Sequence, residues 1–143
     1  MDLTAIQKAV YAHLSANAAI VALSAAVYDT IAPQNAAMPY IVLTIIDDVR
    51  QFNANVDLER VRLQVDVYHA QDVERGVRGS AATAHSVAAA VETALRGQWM
   101  NDATGVYWPV QAVPEGTRKT LEDDTVWRLS SDYLLVFEPI LRR

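Results

Sequence analysis

The side chains best suited to chemistry in this sequence are two groups of carboxylates. Asp47 and Asp48 are adjacent, and a second run comprises Glu122, Asp123 and Asp124. Carboxylate pairs can bind a divalent cation or exchange protons with a substrate. Adjacent residues of a strand point to opposite faces, so Asp47 and Asp48 cannot easily share one site. The sequence therefore favours a solvated strand end for the first group and a solvated loop for the second.

The histidines and possible nucleophiles show no catalytic or metal-binding pattern. His13, His69 and His85 are not paired with each other or with a carboxylate at the spacing of a zinc helix. The sequence has no cysteine, so it has neither a disulfide framework nor a thiolate metal site. No serine lies in a Gly-x-Ser-x-Gly elbow. We therefore expect no metal, no cofactor and no enzymatic activity.

Tryptophan and arginine side chains are the better candidates for contacts with partners. Trp99 and Trp108 lie in the C-terminal half, and tryptophan is enriched at interface hot spots, although both fit a core equally well. Arg60 and Arg62 lie on the polar side of an alternating strand, where they either pair with acids of a neighbouring subunit or are solvated. The candidate interface residues are Asp47, Asp48, Arg50, Arg60, Arg62, Trp99, Trp108, Glu122, Asp123 and Asp124.

Composition limits the class of protein. The length of 143 residues and the apolar fraction of 52% fit one domain, residues 1–143, with one core. The formal charge of −5 is opposite to that of most proteins that grip nucleic acid. The longest apolar run, Tyr40 to Ile46, is too short to span a bilayer. The start of the sequence lacks a signal peptide, so we expect the product to stay in the cytoplasm where it is made.

The elements that must position these residues are clearest between Leu58 and Arg96. Val61, Leu63, Val65 and Val67 alternate with polar residues, which predicts a strand with one buried face. Apolar residues then recur at helical spacing, and the helix from Ser80 to Arg96 is expected to lie on the sheet through Ala84, Ala88, Val91 and Leu95. These patterns predict an α+β fold, an antiparallel sheet with helices packed on one face.

The remaining elements are predicted by their caps, turns and alternation. Asn17 can cap a short second helix after the opening one, which runs to about Ser15. A strand beginning at Tyr40 and the alternating strand form a hairpin whose end is 47–57. The helix before Arg96 could be capped by Asp72 or by Ser80. Residues 98–125 contain proline-marked edge strands and a polar loop over 115–124, and a last strand spans 125–138.

The ordered set of short elements resembles the tail-terminator, or tail-completion, proteins of long-tailed bacteriophages. The resemblance covers about residues 3–96 and, weakly, the last strand; residues 98–125 match nothing in the family. No single element is specific, but their order and spacing are. The segments that carry it are the opening helix with Leu14, Asn17-Ala-Ala-Ile-Val-Ala-Leu23, Val27-Tyr28-Asp29, Ala32-Pro33, Met38-Pro39-Tyr40-Ile41-Val42, the strand from Val61 to Tyr68 and the helix ending Val91-Glu-Thr-Ala-Leu95.

The resemblance implies a structural protein of the virion tail without catalytic residues. It implies a homo-oligomeric ring, typically of six subunits, that caps the tail tube, stops its growth and contacts the tail tube protein and the neck or head-completion protein. DNA would pass through the channel of such a ring without specific binding, and a negative wall suits that passage. Assembly would take place in the host cytoplasm, without a membrane partner.

Two other interpretations remain open at this point. Another neck or tail-tube component of the same particle would share the fold. A small-ligand binding domain would need convergent polar groups in a pocket, and the sequence offers no obvious set.

Overall fold

The structure of the protein is a computed structural model. The backbone is described for residues 3–53, 56–70, 72–74, 77–96, 99–101, 107–122 and 126–137. Side-chain environments are described for residues 7–46, 61–70, 81–96 and 126–135.

The described residues form three helices and eight strands. In chain order they are α1 (Leu3–Ser15), α2 (Ala18–Ala22), β1 (Ala26–Asp29), β2 (Tyr40–Asn53), β3 (Val56–Ala70), β4 (Asp72–Glu74), β5 (Val77–Ser80), α3 (Ala82–Leu95), β6 (Trp99–Asn101), β7 (Tyr107–Glu122) and β8 (Val126–Phe137).

Six of these strands form one mixed sheet that is mostly antiparallel. Its order is β1-β2-β3-β8-β7-β6, with only β1 and β2 parallel among the described pairs. Strands β4 and β5 form a separate two-stranded hairpin. The predicted α+β class is confirmed, and so is the hairpin of β2 and β3, which pair from Tyr40 opposite Tyr68 to Asn53 opposite Val56.

The core lies between one face of this sheet and the helices. The alternation in β3 predicts the buried side correctly, since Val61, Leu63, Val65 and Val67 are each at most 1% exposed. The residues that alternate with them in β3 include Arg62 and Gln64, which are half-buried. The buried side of β3 packs in one cluster with side chains of the neighbouring elements, among them Val10, Leu14, Ile41, Leu43, Val87, Val91, Leu95, Leu129, Tyr133 and Leu135.

Helix α3 begins later than either predicted cap. Its N-cap is Ala81, which makes no side-chain capping hydrogen bond, whereas Asp72 and Ser80 belong to the β4–β5 hairpin. Glycine is costly inside a helix, and the segment before residue 81 contains Gly76 and Gly79. The predictions that Asp72 or Ser80 caps this helix are therefore wrong.

The predicted apolar stripe of α3 is correct but too narrow. Ala84, Val91 and Leu95 are buried, and Ala88 is partly buried against the same core. Val87 and Ala94 are buried as well. A helix that faces a sheet buries a stripe of three to four residues per two turns, which is wider than the single row read from the sequence.

Hydrogen bonds join and cap the other helices. The Asn17 side chain accepts from the backbone N–H groups of Ala19 and Ile20 at 3.1 and 3.2 Å, as its predicted capping role requires. His13 Nε2 donates to the carbonyl of Ala94 at 2.6 Å, which ties α1 to the last turn of α3. None of the described helices combines the length and hydropathy needed to cross a bilayer.

The predicted polar loop over residues 115–124 is a strand over most of its length. Strand β7 continues to Glu122 and pairs with β8 from Val110 to Glu122, with a register shift between Pro114 and Gly116. The described ladder between β6 and β7 covers only Tyr107 to Pro109, and a β-bulge accommodates Pro114 further along β7, so the polar sequence is compatible with a continuous ladder to β8. Asp123 and Asp124 lie outside the described residues.

Candidate interface on the sheet face opposite the helices

The second face of the sheet carries a polar and aromatic set of side chains. In β3 the residues that alternate with the core positions include Gln64, Asp66 and Tyr68. Cross-strand register places Tyr40 opposite Tyr68 and Arg128 opposite Tyr68 on its other side. One row of side chains therefore crosses three neighbouring strands.

These residues line an open groove with a volume of about 390 Å³. Its walls include Tyr40, Thr44, Tyr68 and Arg128, and the segment after β1 contributes residues 30–32. Val42 lines the groove and is 7% exposed, but it does not belong to the core cluster that lies between the sheet and the helices. The groove therefore lies on the sheet face away from the helices.

A buried carboxylate organises the groove. Asp66 is 4% exposed, and its two oxygens accept from Gln64 Nε2 at 3.1 Å each. Arg128 donates to the same oxygens through Nε and Nη2 at 3.4 Å, and the Ser130 hydroxyl also donates to Asp66. A buried charge is tolerated only when it is paired and hydrogen-bonded, and these contacts meet that requirement.

Aromatic contacts extend this network to the edge of the sheet. Tyr40 stacks on Tyr68 with ring centroids 4.9 Å apart and an interplanar angle of 19°. Tyr28 meets Tyr40 edge to face at 6.0 Å, and Arg128 Cζ lies 5.8 Å from the centroid of the Tyr68 ring. Offset stacking, edge contacts and cation–π contacts each add stability beyond burial alone. We call Tyr28, Tyr40, Tyr68 and Arg128 the tyrosine–arginine row.

Burial raises the pKa of the Tyr40 phenol, and the neighbouring Tyr28 adds to the shift. A tyrosine is protonated at neutral pH in any case, so the Tyr40 hydroxyl can donate a hydrogen bond. The groove presents stacking surfaces, hydroxyl groups and a guanidinium, which are groups suited to contact with another molecule.

Asp66 and Arg128 were not among the functional residues predicted from the sequence. The alternation places Asp66 on the polar side of β3, which suggests solvent exposure, and it is buried instead. Arg128 follows Asp66 by 62 residues, so no local pattern joins them. The two strands are adjacent in the sheet, with Asp66 opposite Ser130.

The predicted site residues on β2 and β3 lie along one hairpin. Asp47 is opposite Arg62, and Asp48 is opposite Val61 after a register shift between Ile45 and Asp47. Arg50 is opposite Glu59, and Arg60 is opposite Val49. Of the predicted site residues, only Arg62 has a described side-chain environment; it is half-buried and on the same face as the groove.

The predicted site residues of the C-terminal half that the structure describes lie on β6 and β7, at the opposite end of the sheet from β1 and β2. Trp99 is in β6 opposite Pro109, and Trp108 is in β7 opposite Met100, so the two tryptophans belong to one strand pair. Glu122 ends β7 opposite Val126. Their register is therefore known, whereas their contacts lie outside the described side chains.

Within the side chains that the structure describes, no group of three or more histidine, aspartate or glutamate residues is placed to hold a metal ion.

One family profile and one solved structure match most of the chain. The sequence profile of the family described as tail completion protein gp17 matches residues 8–137. One chain in the solved virion of a native gene transfer agent (GTA) particle has the same fold with a TM-score of 0.73; the two sequences are 24% identical, and the match covers 95% of this chain and 96% of that one. No curated protein sequence matches the chain.

Proposed function

We propose, because the chain belongs to the tail completion protein gp17 family, that it forms a ring that caps the tail tube, stops tube elongation and joins the tube to the neck. Membership of this family makes the chain a structural component of a phage-type tail. The ring and its partners go beyond that membership and are the subject of the experiments below.

The observation that carries the proposal is the length of the family match. Residues 8–137 include the three described helices in whole or in part and the described strands of the main sheet, so the match concerns the fold and not one motif. A structural family also gives no reason to expect catalysis. The groove described above is accordingly interpreted as a contact surface.

The proposed assembly is a homo-oligomer, with six subunits as its expected size. A ring of identical subunits uses a heterologous contact, in which two different surfaces of each subunit meet. Its partners would be the tail tube protein on one side and a neck or head-completion protein on the other. The formal charge of −5 would let DNA pass the channel without strong binding.

The contacts with these partners are proposed to involve the residues singled out in the sequence. Asp47, Asp48, Arg50, Arg60 and Arg62 lie on the β2–β3 hairpin, and reciprocal charges there suit pairing between subunits. Trp99 and Trp108 mark a second proposed surface on the β6–β7 pair. The acidic run Glu122, Asp123 and Asp124 is a third.

Two measurements test the proposal. Native mass spectrometry of the purified chain should show a discrete ring, and a chain that stays monomeric at assembly concentrations contradicts the ring. Electron microscopy of particles assembled without the chain should show tail tubes of uncontrolled length. Tubes of uniform length under that condition would contradict the terminator role and favour another neck or tube component.

A further inference from the structure

One wall of the groove is a short segment that follows a strand end. The tyrosine–arginine row lies on paired strands, whereas residues 30–32, which also line the groove, come directly after β1. Thr30 and Ile31 are exposed, Ile31 by 77%. Segments with few buried contacts belong to the least stable part of a fold, so this wall needs specific contacts to stay in place.

Thr30 has a backbone conformation that its own side chain disfavours. Its φ is 64°, and positive φ is rare for a β-branched residue because Cβ approaches the backbone too closely. The Ile31 N–H donates to the carbonyl of Asp29 at 2.7 Å, which makes Thr30 the centre of a γ-turn. The form of this turn with positive φ at its centre is rare and strained. Ser24 and Asn35 also have positive φ, but neither is β-branched.

Hydrogen bonds from two elements keep Thr30 in this conformation. Its N–H donates to the carbonyl of Leu43 in β2 at 2.8 Å. Its hydroxyl donates to Asp29 Oδ1 at 2.9 Å, and the same oxygen accepts from Gln7 Nε2 in α1. We call these two side-chain hydrogen bonds the Gln7–Asp29–Thr30 latch.

The latch and the strain oppose each other with similar strength. A strained backbone residue persists only where the surrounding contacts over-determine it. Both bonds of the latch are exposed, so their net contribution to stability is modest and of the same order as the cost of one strained residue. Such a balance favours two states of the segment rather than one.

We propose that Thr30 is a strained hinge and that the Gln7–Asp29–Thr30 latch holds residues 30–32 against the groove as a movable wall. When the latch opens, Thr30 returns to negative φ and the wall moves, which changes the width of the groove. Hinges are typically a few residues at the end of an element that absorb such a φ change. The inference concerns the folded chain by itself and does not depend on the ring.

Hydrogen exchange measured by NMR on the folded full chain reports the turn. The Ile31 amide is the probe, because it donates the hydrogen bond that closes the γ-turn. The Ala36 amide donates to the carbonyl of Pro33 at 3.1 Å in the same loop, so it reports any wider opening of that loop. Thermal melting of each variant gives the stability of the whole chain.

Three variants separate the latch from the strain. Thr30→Val removes the hydroxyl and keeps the branched side chain, whereas Thr30→Gly removes the hydroxyl and also relieves the strain, since glycine adopts positive φ freely. Gln7→Met removes the donor from α1 at similar side-chain length. Gln34→Met is its matched control, because Gln34 is exposed in the loop after β1.

We expect Thr30→Val and Gln7→Met to speed exchange of the Ile31 amide at least threefold, after correction for intrinsic rates, and Gln34→Met to leave it unchanged. Thr30→Gly should exchange more slowly at Ile31 than Thr30→Val and should melt at a higher temperature. The Ala36 amide should keep its rate throughout.

Three results overturn the inference. Parent-like exchange of the Ile31 amide in both Thr30→Val and Gln7→Met shows that the latch does not hold the turn. Equal exchange and equal melting of Thr30→Gly and Thr30→Val show that Thr30 is not strained. Exchange that rises equally at Ala36 shows that the whole loop opens, without a hinge at Thr30. None of these results bears on the ring, which native mass spectrometry tests separately.

Discussion

At the scale of single residues, the central contact of the groove is the ion pair between the buried carboxylate of Asp66 and the guanidinium of Arg128. Asp66 belongs to a strand whose buried core positions Val61, Leu63, Val65 and Val67 are apolar, and Asp66 is buried although it lies on the other side of that strand. The cost of desolvating its carboxylate is offset by donors from three side chains. Such a network gives each of its members a defined position, which a row of exposed polar residues would not have.

Removing one member of this pair should therefore cost more than neutralising both. Arg128→Met leaves the buried carboxylate without its cation and is expected to lower the free energy of unfolding by about 1–3 kcal/mol. The double variant Asp66→Asn/Arg128→Met should recover part of that loss, because no charge remains buried. Urea titration of both variants and of Asp66→Asn completes the cycle, and strictly additive effects would contradict the coupling.

A second residue-scale prediction concerns alkaline pH. Burial, assisted by the carboxylate of Glu92, raises the pKa of Tyr133 to about 12, against the lowering effects of its hydrogen bond to Ser131 and of Arg96. Below its ordinary pKa of 10.0 the phenol is neutral in both states and contributes no pH dependence. Between about pH 10 and pH 12 the unfolded chain loses the proton that the folded chain keeps, so stability falls as pH rises, by up to about 1.4 kcal/mol per pH unit.

Tyr133→Phe should remove this part of the alkaline loss. The measurement is the slope of the free energy of unfolding against pH from 9 to 12 (about the window in which the two states differ). Tyr11→Phe is the control, since Tyr11 is 43% exposed. The assignment is wrong if the Tyr133→Phe slope equals that of the parent.

At the scale of elements, α3 shows how closely a helix can lie on this sheet. Ala84 is 1% exposed, whereas Ala88 is partly buried and Ala89 is exposed. Small residues at the contact let the helix approach the strands, and the side chains of β3 and β8 occupy the remaining space.

Leucine at these three positions should therefore give a graded loss of stability. Ala84→Leu should cost about 1–3 kcal/mol through overpacking, Ala88→Leu less, and Ala89→Leu almost nothing. Thermal melting of the three variants gives the order directly. Equal midpoints for Ala84→Leu and Ala89→Leu would show that α3 does not contact the sheet through Ala84.

At the scale of the whole molecule, folding and assembly should be separable. The helices and one sheet face form the core, while the hairpin end of β2 and β3 extends along the same sheet. Its charges are expected to act in assembly, because loops and strand ends beyond the core contribute little to folding.

Reversing Asp47 and Asp48 to lysine tests this separation. The double variant places a lysine opposite Arg62, so a loss of stability of about 1 kcal/mol or less is expected from cross-strand repulsion. The same change should weaken ring formation or docking on tubes, most strongly at low salt, where screening is weakest. Size-exclusion chromatography and tube length are the measurements, with Asp48→Asn as the milder control. If the double variant forms the same oligomer and gives tails of uniform length, the end of the β2–β3 hairpin is only a solvated turn.

Local patterns in the sequence were sufficient for most elements and for the buried side of the sheet. The alternation from Val61 to Val67 identified the core positions, and Asn17 identified the start of α2. These predictions succeed because strand and helix periodicity, and capping by one side chain, depend on residues that are close in the chain. Where two local signals competed, as at the start of α3 and along β7, the strand pairing decided.

Only the tertiary structure determined the groove and its buried charge. Tyr28, Tyr40, Tyr68 and Arg128 come from four strands, and their contacts follow from the order β1-β2-β3-β8, in which the last described strand lies beside the third. The burial of Asp66 likewise depends on donors that reach it from β8 as well as from its own strand. Periodicity specifies which face of a strand a side chain occupies, but its neighbours across the sheet are set by pairing between distant segments, because that pairing depends on the packing of the whole core.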